Sequence, residues 1–212
     1  VMKLGRWNLL ASIRMASSVE TMNYVLHAVM LNGSSSFNLS SSDLVVSKRA
    51  KMVYLAKSSL VQLNNANEEL LKGNELVGPS SGFDDELDSI NTETICDVFT
   101  NNQTDMHDSY RCSSASQGVG IFITMIDTIL DNIESTEGNF DYPMITHSLH
   151  LLNRHLLERL EQAVDRIHDI NILMCKKFEK KTFILFIIGL VIIFIMFIQT
   201  MYFYIKSILI YK

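Results

Sequence analysis

The chain has 212 residues with 18 basic and 23 acidic side chains, and its formal charge of −5 is too small to argue for nucleic acid or an acidic partner. The basic residues form no stripe interleaved with aromatics, so a nucleic-acid-binding face is excluded. Only two prolines and nine glycines occur, a scarcity of helix breakers that excludes a many-turned β fold and predicts long helices. The first residue is Val, which points to a processed product or a piece of a longer chain. No apolar run ending in a small-residue cleavage site marks a signal peptide.

The first helix is expected over residues 4–31, where Met15, Val19, Met22, Leu26 and Val29 step by four and three along one face. Asn32-Gly33 and the serines after it supply the stop, and Ser40 to Asp43 offer capping oxygens to the next helix. That second helix is expected over residues 43–71, with Val46, Val53, Ala56, Leu60, Leu63 and Leu70 on one face. Two helices of matched length joined by a short polar loop predict an antiparallel hairpin.

Residues 73–113 have a weaker apolar pattern and read as a loop-rich insertion. The acidic run Asp84, Asp85, Glu86 and Asp88 lacks the ligand alternation of a calcium loop and reads as solvated. Cys96 and Cys112 lie in this insertion and are candidates for a disulfide if the domain meets an oxidising compartment. No CxxC occurs, so zinc-ribbon and thioredoxin-like chemistry are unsupported. A third helix follows over residues 114–134, marked by Val119, Phe122, Ile126, Ile129 and Ile133.

The fourth helix begins near Tyr142, with Pro143 suited to a first-turn position. Leu149, Leu152, Leu156, Leu160, Ala163, Ile167, Ile170 and Met174 form a seam stepping by three and four. His147 and His150 share a face near its start, with His155 close by. No carboxylate joins them at a local ligand spacing, so surface histidines are expected and no metal site is assigned. His27 and His168 stand alone on helices. No G-x-S-x-G, P-loop, HExxH or dinucleotide fingerprint occurs, and no nucleophile pairs with a base; the expectation is a non-enzyme without cofactor or catalytic residues.

Between Lys181 and Lys206 there is no charged residue. Roughly 20 apolar helical residues cross a hydrocarbon core of about 30 Å, so residues 182–204 are read as one transmembrane helix. Lys176, Lys177, Lys180 and Lys181 flank one end, and Tyr202 and Tyr204 fit an aromatic belt at the other. The lysines alone would put the preceding domain in the cytoplasm. Three glycosylation sequons, at Asn32, Asn38 and Asn102 in stretches read as loops, and the cysteine pair favour an extracytoplasmic domain. Cys175 is read as a plain interfacial thiol.

The expected architecture is all-α: an up-down-up-down four-helix bundle over residues 1–175, whose last helix continues into a juxtamembrane and transmembrane segment, 176–212. The Ile-, Asn- and Phe-rich wording is typical of an AT-biased protist genome. The passage SIRMASSVETMNYVLHAVMLN followed by a second long helix resembles the extracytoplasmic region of the tiny macrocysts protein B family. That resemblance implies a membrane sensor, since those proteins carry several spans and PAS-type sensory domains. The first functional reading is thus a membrane-anchored, non-catalytic glycoprotein module for sensing, adhesion or assembly, of receptor type. It would contact lipid and protein partners and no nucleic acid, as a homo-oligomer or within a larger assembly.

Two alternatives stand beside it. One is a tail-anchored cytosolic fusion protein similar to a syntaxin-type SNARE. Its heptads would cover only residues 149–174, and the central Gln162 falls off the seam. The other is a structural accessory subunit of a larger membrane complex.

Overall fold

In the computed structural model, residues 2–33, 43–75, 77–94, 106–136 and 138–210 are described. Every regular element among them is helical: α1 (Met2–Gly33), α2 (Asp43–Lys72), α3 (Asp85–Thr92), α4 (Met106–Arg111), α5 (Ala115–Asp131), a 3-10 turn (Ile133–Thr136), α6 (Pro143–Leu151), a π turn (Leu152–Leu156) and α7 (Leu157–Ile210). The chain divides into two compact units, Met2–His168 and the part of α7 from Asp169 onward.

In the first unit α1 and α2 form the expected antiparallel hairpin. Cross-links run in opposite chain order: Arg6 pairs with Glu69 at 2.9 Å, Ser59 donates to the Ser17 carbonyl at 3.1 Å, and Arg49 donates to Asn32 at 2.5 Å. The buried face of α1 takes in Met22 and Val29 of the expected stripe but is otherwise shifted from it. Leu4, Trp7, Ala11, Arg14, Ser18, Thr21, Val25 and Ala28 are buried, while Val19 is exposed and Met15 and Leu26 are half-buried. Hydrophobic periodicity was misleading here because four buried positions in the middle of the face, Arg14, Ser17, Ser18 and Thr21, are polar. On α2, Ala56, Leu60, Leu63 and Leu70 are buried as expected, but Val46 is exposed.

The segment after α2 is built structure rather than open loop. Gly73 takes φ +75° and its N–H closes on the Glu69 carbonyl at 2.9 Å, a left-handed stop that a side chain would strain. The chain then folds back, with Trp7 Nε1 donating to the Gly78 carbonyl at 3.0 Å and its ring edge-on to Phe83 at 4.9 Å. Asp84 caps α3 by accepting from the Leu87 N–H at 3.0 Å. Both of its oxygens also accept from Arg166, each at 2.8 Å, and Glu86 meets the same guanidinium at 2.6 Å. Asp84 and Glu86 thus bolt α3 to α7, while Asp85 stays exposed as expected, and the Arg166 hydrogen bonds hold the Asp84 carboxyl below its ordinary value.

α5 begins at a reciprocal capping box between Ser114 and Gln117. It buries Val119, Phe122, Ile126 and Ile129, and Ile133 follows in the 3-10 turn, the stripe read from sequence. These residues pack with Leu151, Leu152, Leu156 and Leu160 and with Val25, Val29, Leu60 and Leu63 in one core. Each fully buried side chain of this size contributes about 1.5–3 kcal/mol relative to exposure. Asn32, expected in a loop, lies in the last turn of α1. Its Nδ2 donates to the Ile133 carbonyl at 2.8 Å and to that of Glu134 at 3.3 Å. The other two sequon asparagines, Asn38 and Asn102, lie outside the described residues, as does Cys96. Cys112 is half-buried and is not a free thiol, whereas Cys175 is free and exposed.

In the second unit, α7 carries the apolar segment. Among the described residues one helix is long and apolar enough to cross a membrane, with a mean hydropathy of 2.9 in its most apolar stretch. Every large apolar side chain from Phe183 to Ile205 is at least 43% exposed.

Candidate metal centre

Four of the chain's six histidines meet in one small volume of the first unit, which sequence spacing alone would not require. Two short stretches position them. α4 presents His107 and Tyr110, one turn apart, and buries the Tyr110 ring fully. α6 presents His147 and His150, also one turn apart, and the π turn adds His155.

The π turn sets the register. In a regular α-helix, residues five apart point about 140° away from each other. Here the Leu157 N–H bonds back to the Leu152 carbonyl, five residues earlier, so one extra residue is absorbed in a single wide turn. His155 is thereby returned to the side of the helix that carries His150. Gly118 of α5 allows the wide turn to pack closely, since a Cβ there would lie 3.1 Å from Leu156 Cδ1.

The ring centres of His107 and His150 are 4.9 Å apart, those of His150 and His155 5.3 Å, and those of His107 and His155 5.5 Å. One ring nitrogen from each of the three lies within 4.8 Å of the other two. The Tyr110 hydroxyl sits 3.1 Å from His147 Nδ1 and 3.3 Å from His150 Nδ1. A hydroxyl carries one hydrogen, so Tyr110 donates to one of these rings and accepts from the other. His155 Nε2 is buried and has no hydrogen-bond partner. An orphaned buried polar atom costs about 1–3 kcal/mol and calls for a reason.

The surroundings disfavour the charged form of His155 and His150. Desolvation lowers the His155 pKa first, with the neighbouring His150 and His107 and then Arg111 adding to the shift, while Glu158 opposes it. The His150 pKa is also lowered, again by desolvation first and then by His107, Arg154 and His147. His150 counts as exposed over the whole residue, yet its ring lies against His107, Tyr110 and His155. Neutral imidazoles offer lone pairs, the form in which histidine binds metals.

His147, His150 and His155 stand out in the sequence by their closeness, whereas His107 and Tyr110 lie across a long stretch of chain with no local spacing to link them. An i,i+5 histidine pair also gave no signal, because a regular helix separates those positions. His27 and His168 are exposed and lie apart from the cluster. No protein-family model matches this chain, and no curated protein and no solved structure matches it.

Proposed function

We propose that the chain is a membrane-anchored, non-catalytic helical module whose domain stands outside the cytoplasm and serves sensing, adhesion or assembly with protein partners. Residues 1–175 are read as an up-down-up-down bundle in which α1, α2, α5 and the α6–α7 run are the four members. The observation that carries the proposal is the unbroken helix α7. It begins with Leu160, Ala163 and Ile167 buried in the domain core and ends in the exposed apolar run from Phe183 to Ile205. A helix continuous between a folded domain and a bilayer is suited to passing a shift or rotation from one to the other.

The extracytoplasmic side is favoured by Cys112, which is not a free thiol, because disulfides persist in oxidising compartments. We assign its partner as Cys96. Asn38 and Asn102 are the proposed glycan carriers, since the Asn32 amide is engaged by carbonyls of the 3-10 turn. The likeness of the α1 passage to protist membrane sensors supports sensing among the three roles.

The test is intact mass of the chain taken from its native membrane, before and after glycosidase, with alkylation of thiols in the absence of reductant. The reading predicts a mass loss on deglycosylation and a single alkyl adduct, at Cys175. An unchanged mass together with three alkylated cysteines would place the domain in the cytoplasm and overturn the proposal.

A further inference from the structure

We infer that His107, His150 and His155 form a binding site for a borderline-soft divalent cation of the zinc class. Tyr110 orients the site from outside the coordination sphere, and a fourth position is left for water.

Geometry is the first support. Zinc binds histidine nitrogens at about 2.0–2.1 Å in tetrahedral sites, which puts the centres of three ligating imidazoles about 5 Å apart. The three ring separations here, 4.9, 5.3 and 5.5 Å, already fall around that value. Their nitrogens, mutually within 4.8 Å, need only small ring rotations to converge on one ion.

The surroundings are the second support. A metal-ligating histidine almost always hydrogen-bonds through its other ring nitrogen to a fixed outer group. His150 Nδ1 has such a group in the Tyr110 hydroxyl, which leaves its Nε2 for the metal. The same hydroxyl holds His147 Nδ1, so His147 belongs to the supporting layer. The orphaned His155 Nε2 gains in a bound cation the partner it otherwise lacks. The π turn is the third support, because it breaks the α-helical hydrogen-bond ladder between His150 and His155, where doing so brings the two rings to one side. Such turns recur at functional sites.

Ligand chemistry selects the ion. A ligand set of three imidazoles disfavours magnesium and calcium, which take oxygen ligands, and suits zinc, copper(II) or nickel(II); the Asp108 carboxylate, 4.0 Å from His107 Nδ1, stays outside that set. With three protein ligands the sphere stays open, the arrangement of sites that hold a water or an incoming group and not of closed structural sites. His150 is exposed, so an ion has a way in. The inference is independent of which side of a membrane the domain occupies.

The test uses the full chain in detergent, stripped with a chelator and titrated with zinc chloride against a chromophoric competitor, and separately with cobalt(II) chloride. One ion per chain and an intense visible cobalt band of tetrahedral type are expected. His107→Gln, His150→Gln and His155→Gln should each weaken zinc by more than about 30-fold, and Tyr110→Phe by about 10-fold, as loss of an outer-layer partner does. His27→Gln and His168→Gln should leave affinity unchanged. Zinc should also raise the unfolding midpoint of the wild type and of the His27 and His168 variants, but not that of the three ligand variants. This comparison separates a lost site from a lost fold. Failure of the wild type to bind zinc, or binding that survives all three ligand substitutions, would overturn the site.

Discussion

Arg14 is fully buried in the middle of α1, and desolvation lowers its pKa to about 10. Its guanidinium donates to Asn67 Oδ1 of α2 and Asn91 Oδ1 of α3, each at 3.0 Å, and its Nε has no hydrogen-bond partner. Among the described residues no carboxylate pairs with it. A buried cation held by two amides is costly to desolvate, and removing one amide leaves the charge further uncompensated. Asn67→Ala should therefore destabilise the domain by about 2–4 kcal/mol. Arg14→Met removes the charge while keeping most of the volume, and should cost less than Asn67→Ala. Unfolding midpoints of the full chain in detergent check the order, and an Arg14→Met variant less stable than Asn67→Ala would contradict it. This bolt was not legible in the sequence. An arginine on a helix reads as solvent-facing, and its partners arrive from residues 53 and 77 positions away. The histidines were legible one by one, but their convergence on Tyr110 depended on α4 folding against α6, a tertiary event without a local signature.

At the scale of elements, helices were readable wherever one face is uniformly apolar. α5 is the clearest case, with its capping box, its stripe from Val119 to Ile129 and nothing polar buried between them. The α6–α7 run was readable as a seam but not as an interrupted helix. Leu152 and Leu156 are both buried on either side of the extra residue, so the three-and-four rhythm passes through the π turn unaltered. That compensation makes a specific prediction. Asn153 is exposed and lies inside the wide turn. Deleting it should convert the π turn to a regular α turn without rotating either flank, and should place the two histidines an ordinary helical turn apart. Zinc affinity should stay within about tenfold of the wild type, and the unfolding midpoint should rise as the regular hydrogen-bond ladder is restored. A deletion variant that folds but no longer binds zinc would show that the turn does more than set register.

At the scale of the molecule, the chain has two parts suited to different solvents. The first unit buries its apolar stripes against one another, whereas the apolar run of α7 has no protein to cover it. In water such a run would cause aggregation, and in a bilayer its backbone is satisfied internally and its side chains meet hydrocarbon. This was the most legible feature of the chain, because length and absence of charge decide it without any tertiary contact. The side of the membrane was not legible in the same way, since lysine placement and sequons point in opposite directions. The measurement that tests the central claim most directly is extraction of chain-bearing membranes with alkaline carbonate, comparing wild type with an Ile188→Arg, Ile192→Arg variant. Each arginine at a helix centre costs about 2.5–3.5 kcal/mol for insertion. The account predicts that the wild type stays with the membrane pellet and the double variant moves to the supernatant. Release of the wild type into the supernatant, with its domain still folded, would contradict a membrane-spanning α7.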